Sequence, residues 1–167
     1  AGFGCRGWNP AWRQSFLITD ELVDSVSLED LCRDWPSQPP DVKFKRALLR
    51  RVAEIARTLH EHGVNHRDFY ICHFLWNRHS TLDNPVISVI DLHRAQMRRS
   101  TPRRWLVKDL GALYFSAMDI GLTQRDVLRF LRIYRGRELH KLLQEEAGFW
   151  REVLHRAEKL YASWIAK

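Results

Sequence analysis

The segment from Asp41 to Gly63 is the longest stretch of this sequence with a single regular period. Its apolar residues are spaced by four, four, three and four positions, which places them on one face of an α-helix. These residues are Phe44, Leu48, Val52, Ile55 and Leu59. Gly63 supplies a stop after about six turns. Because the apolar face of such a helix must be covered by other elements, the segment predicts a mainly helical domain.

Shorter patterns on both sides of this helix predict β-structure. Residues 74–76 and 86–90 are apolar, and the polar residues Asp83-Asn84-Pro85 lie between them, which indicates a small β-hairpin. A strand is also expected over Ser15–Thr19, after an irregular stretch rich in glycine and tryptophan. Ser27, with a carboxylate three residues on, has the form of a capping box for a short helix.

Helical periodicity returns in the second half of the chain. It runs from Trp105 to Ser116, resumes after a capping box at Thr123 and ends at Gly136, and continues in one or two helices from Glu138 to Lys167. No repeat or linker divides the chain. The expected fold class is therefore α+β, mostly α: a helical bundle with a small β-hairpin.

Charge and cysteine content narrow the classes of partner and compartment. The 167 residues carry 27 Lys+Arg against 20 Asp+Glu, and 21 of the 27 are arginine, whose planar fork binds phosphates and carboxylates bidentately. The surface should therefore favour polyanions. Three cysteines, an odd number, suit a reducing compartment, so we expect a cytoplasmic protein. No apolar run reaches the roughly 18 residues of a membrane-spanning helix, and no signal peptide is visible.

Two carboxylates stand at the ends of the predicted hairpin. Asp68 follows the long helix within His66-Arg67-Asp68, and Asp91 follows the second strand. Pairing of the strands would bring both to the same end of the hairpin, where like charges repel unless they bind a cation. The order of helix, His-Arg-Asp loop, hairpin and Asp is that of a protein-kinase-like catalytic lobe.

Longer motifs extend this similarity. Residues 66–75, 88–96 and 101–105 closely resemble the lipopolysaccharide core heptose kinases of Gram-negative bacteria, which belong to the kinase-like superfamily. The resemblance implies that residues 1–22 are the end of an N-terminal lobe with its hinge strand, and that residues 23–167 are the catalytic C-terminal lobe. A glycine-rich phosphate loop and a strand lysine are absent before Ser15, so we expect the N-terminal lobe to be missing and the chain as given to have little activity.

The resemblance also implies roles for individual residues. Asp68 would be the catalytic base, Asp91 the main Mg²⁺ ligand, and the backbone of Asp20-Glu21-Leu22 the adenine contact of ATP. His73 stands where protein kinases have an Asn metal ligand, and it is expected either to bind the metal ion, although imidazole suits Mg²⁺ poorly, or to tether the loop. The residues expected to support the catalytic loop are His66, Arg67 and Asp109. The arginines expected to meet acidic groups of the acceptor are Arg94, Arg98, Arg103 and Arg104.

The implied function is ATP- and Mg²⁺-dependent phosphorylation of a heptose hydroxyl in the lipopolysaccharide inner core. The resemblance places such an enzyme on the cytoplasmic side, bound peripherally to the anionic inner membrane, and raises acyl carrier protein as a partner. Two alternatives stay open: a kinase for another sugar or small alcohol, and a non-catalytic, kinase-derived binding module. Nucleic acid is not an expected partner, because no recognisable binding module or aromatic stacking pattern is present.

Overall fold

The computed structural model describes residues 2–166, which form a mainly helical α+β fold, as predicted. The strands and helices in chain order are β1 Gly2–Arg6, β2 Gln14–Ile18, β3 Ser25–Ser27, α1 Leu28–Cys32, α2 Val42–Glu61, β4 Val64–Asn65, β5 Phe74–Asn77, β6 Ile87–Val89, β7 Gln96–Met97, α3 Arg103–Ser116, α4 Gln124–Arg135, α5 Leu139–Glu145 and α6 Ala147–Ile165. No helix among these is both long and apolar enough to cross a membrane.

The predicted long helix is α2, and both of its ends follow from local chemistry. The Asp41 side chain accepts hydrogen bonds from the backbone N–H groups of Lys43 and Phe44, at 2.9 and 3.0 Å. These bonds hold the pKa of Asp41 below its usual value. Gly63 follows the helix with φ at +76°, and a Cβ there would lie 1.8 Å from the carbonyl oxygen of Arg98. Only glycine fits this position.

The core forms where α2 packs against α4, beside the paired helices α3 and α6. On the predicted apolar face, Phe44, Leu48 and Val52 are buried, while Ile55 and Leu59 pack partly buried against the same cluster. The remaining core residues come from the loop after α2, from the β5–β6 hairpin and from α3, α4 and α6. They include Phe69, Phe74, Leu110, Leu113, Tyr134, Phe149 and Val153.

The predicted hairpin is present, with β5 and β6 paired antiparallel so that Phe74 faces Val89 and Trp76 faces Ile87. β3 adds a third strand on the other side of β5, which the sequence did not indicate because β3 has only three residues. β1 also differs from expectation. The stretch expected to be irregular pairs antiparallel with β2, and its backbone hydrogen bonds compensate for the weak strand propensity of Gly2 and Gly4.

The helix-end predictions in the second half are confirmed. Thr123 and Asp126 form a complete capping box at the start of α4, and Gly136 ends that helix with φ at +61°. The C-terminal segment contains two helices, α5 and α6. Together these elements enclose the loop that follows α2, which carries the candidate site.

Candidate active site

The loop after α2 is fixed from below by a buried carboxylate on α3. Asp109 is fully buried, and its two oxygens accept hydrogen bonds from the backbone N–H groups of His66, at 2.7 Å, and Arg67, at 2.9 Å. Nε2 of His60 lies 3.3 Å from the same carboxylate, and Nδ1 of His60 lies 2.8 Å from the hydroxyl of Tyr134. A buried carboxylate is costly unless hydrogen-bonded, so this set of contacts fixes the loop backbone.

The imidazole of His66 connects this loop to the end of the hairpin. Its Nε2 lies 2.9 Å from the carbonyl oxygen of Ile90, so Nε2 carries the proton and donates. The ring stacks on that of His73 at a centroid distance of 5.7 Å. The backbone N–H of Ile90 in turn donates to the carbonyl of His73 at 3.0 Å. The segments that carry Asp68 and Asp91 are thereby held against each other.

His73 links the two predicted carboxylate residues directly. Its Nδ1 donates to the carbonyl oxygen of Asp68 at 2.7 Å, and its Nε2 lies 3.4 Å from Oδ2 of Asp91. The side chain is partly buried in the loop. In this arrangement His73 positions the loop and the hairpin end relative to each other, which is the loop-tethering role that was the alternative to metal binding.

The Asp68 side chain has one occupied oxygen and one without a partner. Its Oδ1 accepts a hydrogen bond from Nη1 of Arg94 at 2.8 Å. Its Oδ2 is buried and makes no hydrogen bond. The side chain is 17% exposed, so the carboxylate is shielded but still reachable. A partly exposed carboxylate with unused acceptor capacity suits a hydroxyl donor from a substrate.

Asp91 lies after β6 in a left-handed conformation, with φ at +62°. Such a conformation is costly outside glycine and is concentrated at functional sites. Its carboxylate is 39% exposed, and Oδ1 accepts a hydrogen bond from Nδ1 of His93. That hydrogen bond holds the pKa of Asp91 below its ordinary value, against the opposing effect of desolvation. The group is therefore a negatively charged pair of oxygens at the protein surface.

These oxygens fit a hard divalent cation. Mg²⁺ prefers oxygen ligands and is usually held by one or two carboxylates, with substrate phosphates and waters completing the shell. Among residues 2–166, no group of three or more His, Cys, Asp or Glu side chains could hold a metal ion by itself. A site built on Asp91 would therefore need oxygens from a phosphate ligand. The ring nitrogens of His73 are directed to Asp68 and Asp91, as described above.

The four arginines expected at the acceptor side fall into different environments. Arg94 is paired with Asp68, and Arg98 donates to the side-chain oxygens of Asn65 and Gln96. Arg103 pairs with Glu152 of α6 at 2.8 Å. Arg104 is exposed and stands over the ring of Trp105, as does Arg98. The expected hinge residues Asp20-Glu21-Leu22 lie exposed in the connection between β2 and β3.

Sequence reasoning missed His60 and Tyr134, which support Asp109 from α2 and α4. A signal for His60 was present, since it stands four residues after Ala56 and eight after Val52, on the buried face of α2. The helical period of α4 places Tyr134 together with its apolar residues. The sequence gives no indication that the hydroxyl of Tyr134 contacts His60, which lies far away in the chain.

A separate feature is an apolar cavity of about 320 Å³ within the helical core. Its lining includes Leu48, Val52, Leu113, Phe130, Leu131 and Val153. Lys45 and Asp126, which pair at 3.0 Å, also line it, and so does Cys32. Burial raises the pKa of the Cys32 thiol to about 12, so this cysteine is a neutral, apolar wall residue.

Comparison with known proteins gives consistent matches. The model of the lipopolysaccharide kinase (Kdo/WaaP) family matches residues 1–134. The lipopolysaccharide core heptose(I) kinase WaaP of Escherichia coli strain K12 is 52% identical over 161 residues, which is 95% of this chain and 61% of that protein. The protein of the same name from Pseudomonas aeruginosa is 52% identical over 165 residues, covering 95% of this chain and 60% of its own length.

A solved structure described as WaaP in complex with acyl carrier protein superposes with a TM-score of 0.86 at 52% identity. The match covers 95% of this chain and 67% of that one. The chain thus spans about three fifths of the length of the curated relatives that it matches. The likeness at this identity confirms the predicted kinase-like helical lobe.

Proposed function

Because the chain belongs to the lipopolysaccharide kinase (Kdo/WaaP) family, we propose that it forms the catalytic lobe of an ATP-dependent kinase that phosphorylates a heptose hydroxyl of the lipopolysaccharide inner core. Relatives about half identical to this chain carry the name of that activity. The observation that carries the proposal is the link through His73, which holds the Asp68 loop and the Asp91 carboxylate side by side.

Asp68 is the group proposed to receive the proton of the acceptor hydroxyl. The hydroxyl oxygen attacks the γ-phosphorus of ATP, the bond from that phosphorus to the oxygen of the ADP leaving group breaks, and the proton passes to the carboxylate. Arg94 holds Oδ1, which fixes the orientation of the carboxylate, and Oδ2 makes no hydrogen bond, so the carboxylate keeps unused acceptor capacity. Catalysis here rests on positioning, since the loop backbone is fixed by Asp109.

Asp91 is proposed to hold Mg²⁺ together with the nucleotide phosphates. When bound, the ion neutralises charge on the transferred phosphoryl group. Asp91 itself contributes an ionised carboxylate at the surface, kept negative by the hydrogen bond from His93. The connection that contains Asp20-Glu21-Leu22 is proposed as the adenine contact, consistent with its exposed position between β2 and β3.

The proposal is tested by transfer of labelled phosphate from ATP and Mg²⁺ to dephosphorylated core lipopolysaccharide by the natural full-length protein. We expect transfer, and we expect Asp68→Asn to abolish it while thermal unfolding is unchanged. Asp34→Asn, on an exposed residue, is the matched control and should retain activity. Full activity in Asp68→Asn would refute the assignment of the base. Transfer to other sugars in preference to heptose would favour the alternative sugar kinase.

Acyl carrier protein is proposed as a partner, with the apolar cavity as the place for an attached acyl chain. The related protein was solved in complex with a carrier of this kind. A cavity of about 320 Å³ lies within the range of ligand pockets, and its lining is almost wholly apolar, as an alkyl chain requires. The net charge of +7 favours an acidic partner.

A substitution that fills the cavity tests the proposed binding of acylated carrier protein. Ala117→Leu adds volume at a lining residue, and Ala147→Leu, at the exposed start of α6, is the control. We expect Ala117→Leu alone to weaken binding of acylated carrier protein, measured by calorimetry, and to leave binding of the unacylated form unchanged. Equal binding of both forms by the unsubstituted protein would contradict the role of the cavity.

Peripheral binding at the anionic inner-membrane face, on the cytoplasmic side, is also proposed. The connection between β1 and β2 exposes Trp8 and Trp12 next to Arg6 and Arg13. Indole rings with neighbouring cations are typical of membrane interfaces. Co-sedimentation with vesicles containing phosphatidylglycerol should fall when both tryptophans are replaced by serine, and no change would refute this contact.

A further inference from the structure

The ring of Trp105, in the first turn of α3, is surrounded by four cationic side chains. The distance from the ring centroid is 4.6 Å to Nζ of Lys108, 5.2 Å to Cζ of Arg67, 5.4 Å to Cζ of Arg104 and 5.7 Å to Cζ of Arg98. These four residues are called the cation cluster below. They come from the catalytic loop, from the segment after β7 and from α3, so the fold and not the sequence order brings them together.

The cation cluster has no counter-charge in the described part of the chain, where none of its four members pairs with a carboxylate. The hydrogen bonds of Arg98 go to the neutral side chains of Asn65 and Gln96. Arg103, which precedes Arg104 in the chain, is by contrast paired with an acid. An indole face attracts cations but carries no net charge, so the four charges still repel one another.

Two buried N–H groups in the same place also lack an acceptor. They are Nε of Arg67 and Nε1 of Trp105. Buried polar groups are normally hydrogen-bonded, and both of these groups can only donate. Both therefore add to the excess of hydrogen-bond donors around the ring. Together with the four positive charges, this excess points to an oxyanion, which guanidinium groups bind bidentately.

One member of the cluster adjoins the proposed catalytic base in the chain. Arg67 directly precedes Asp68 and has a left-handed backbone, with φ at +77°. A non-glycine residue keeps such a conformation only where its surroundings impose it, and here the carboxylate of Asp109 holds the Arg67 N–H at 2.9 Å. An anion bound by the cluster would thus lie on the same loop as the group that receives the acceptor hydroxyl.

We propose that the cation cluster is a binding site for a carboxylate or phosphate group on a sugar neighbouring the heptose that is phosphorylated. The inference rests on the proposed function, because it makes the cluster a subsite for the acceptor saccharide. It assigns acceptor recognition to Arg67 and Lys108, which the sequence had not indicated, and removes Arg103, whose charge is satisfied by Glu152. The site selects acceptors by charge and at a fixed separation from the reacting hydroxyl.

Direct binding tests the site without requiring catalysis. Calorimetry would measure binding of de-acylated core oligosaccharide to the natural full-length protein in the absence of nucleotide. The double variant Arg104→Gln/Lys108→Gln removes two exposed cations from α3, and Arg125→Gln/Arg132→Gln, which removes two exposed arginines of α4, is the charge-matched control. Loss of charge-assisted hydrogen bonds should raise the Kd about tenfold or more in the double variant only. An unchanged Kd, or an equal rise in the control, would overturn the proposal.

Modified oligosaccharides distinguish the two oxyanions. One preparation has its carboxyl groups reduced to alcohols, and another is treated with phosphatase. The modification that removes the true ligand should abolish the difference between the unsubstituted protein and the double variant. If that difference persists on an oligosaccharide that lacks both groups, the cluster does not bind an oxyanion and the inference is wrong.

The transfer assay separates this inference from the proposed function. We compare kcat/KM for the unmodified acceptor with kcat/KM for an acceptor that lacks both the carboxyl and the phosphate groups. The ratio of the first value to the second should fall about tenfold in the double variant. Transfer by the unsubstituted protein with the same ratio in the variant would refute the cluster but retain the kinase. Cluster-dependent binding with no transfer at all would refute the kinase but retain the binding site.

Discussion

Replacing Asp109 by asparagine tests how strongly the loop that carries Asp68 depends on the helix beneath it. The carboxylate is fully buried and accepts two backbone hydrogen bonds, from His66 at 2.7 Å and Arg67 at 2.9 Å, with His60 at 3.3 Å. An asparagine can present an oxygen to only one of the two N–H groups, and its NH₂ group then opposes the other donor.

The expected cost follows from these contacts. Asp109→Asn loses at least one hydrogen bond to a charged group and leaves a buried donor unpaired, which together cost about 3–5 kcal/mol. For a protein of this size or larger, 1 kcal/mol shifts Tm by about 2–4 °C, so Tm should fall by about 6–20 °C. The shape of the side chain hardly changes, so the loss reports hydrogen bonding and charge instead of packing.

The assay is thermal unfolding followed by circular dichroism at neutral pH, with Asp34→Asn as the control for removal of one negative charge. Asp34 is exposed, and its replacement should shift Tm by no more than about 2 °C. If Asp109→Asn unfolded within the same margin, the buried carboxylate would not hold the loop, and the account of the site given above would be wrong.

Two further predictions concern other parts of the core. Gly63→Ala should destabilise the protein by more than about 2 kcal/mol in urea unfolding, because the residue is left-handed and its Cβ would collide with the carbonyl of Arg98, whereas Gly148→Ala, which meets nothing within 4 Å, should be neutral or stabilising. Burial opposes ionisation of Asp126, but its hydrogen bonds, including that from Lys45, outweigh burial and lower its pKa to about 2. Its folded pKa is depressed, so its contribution of about 2 kcal/mol is complete above the unfolded pKa near 4 and is lost as the pH falls towards 2. Asp126→Asn should flatten the unfolding free energy over that pH range, and an unchanged acid profile would contradict this.

The hydrophobic periodicity and the residues that cap helices were enough to predict the main helices and the hairpin. The helix from Asp41 to Gly63 and the hairpin of residues 74–90 could be predicted because their patterns are local and lie within a few turns or one strand pair. β3 and β7, with three and two residues, could not, since their pairing partners are distant in sequence and their own residues carry no period.

The same distinction between local patterns and contacts of distant residues applies to the candidate site. The sequence indicated Asp68 as the catalytic base, Asp91 as a metal ligand and Asp109 as a support of the loop. It indicated a loop-tethering role for His73 only as an alternative to metal binding, and it gave no indication that Trp105 would collect cations from three segments. Such contacts depend on tertiary packing, where side chains far apart in sequence meet, and no local periodicity reports them.

The attachment of the Asp68 loop to Asp109 also affects how the protein moves. The amide protons of His66 and Arg67 are bonded to a carboxylate that lies inside the core, out of reach of solvent. They can exchange with deuterium only when α3 separates from the loop, so their exchange rates should match those of the slowest core amides. We therefore expect the loop that carries Asp68 to belong to the most stable cooperative unit of the protein, and motions that open the site to occur in other segments.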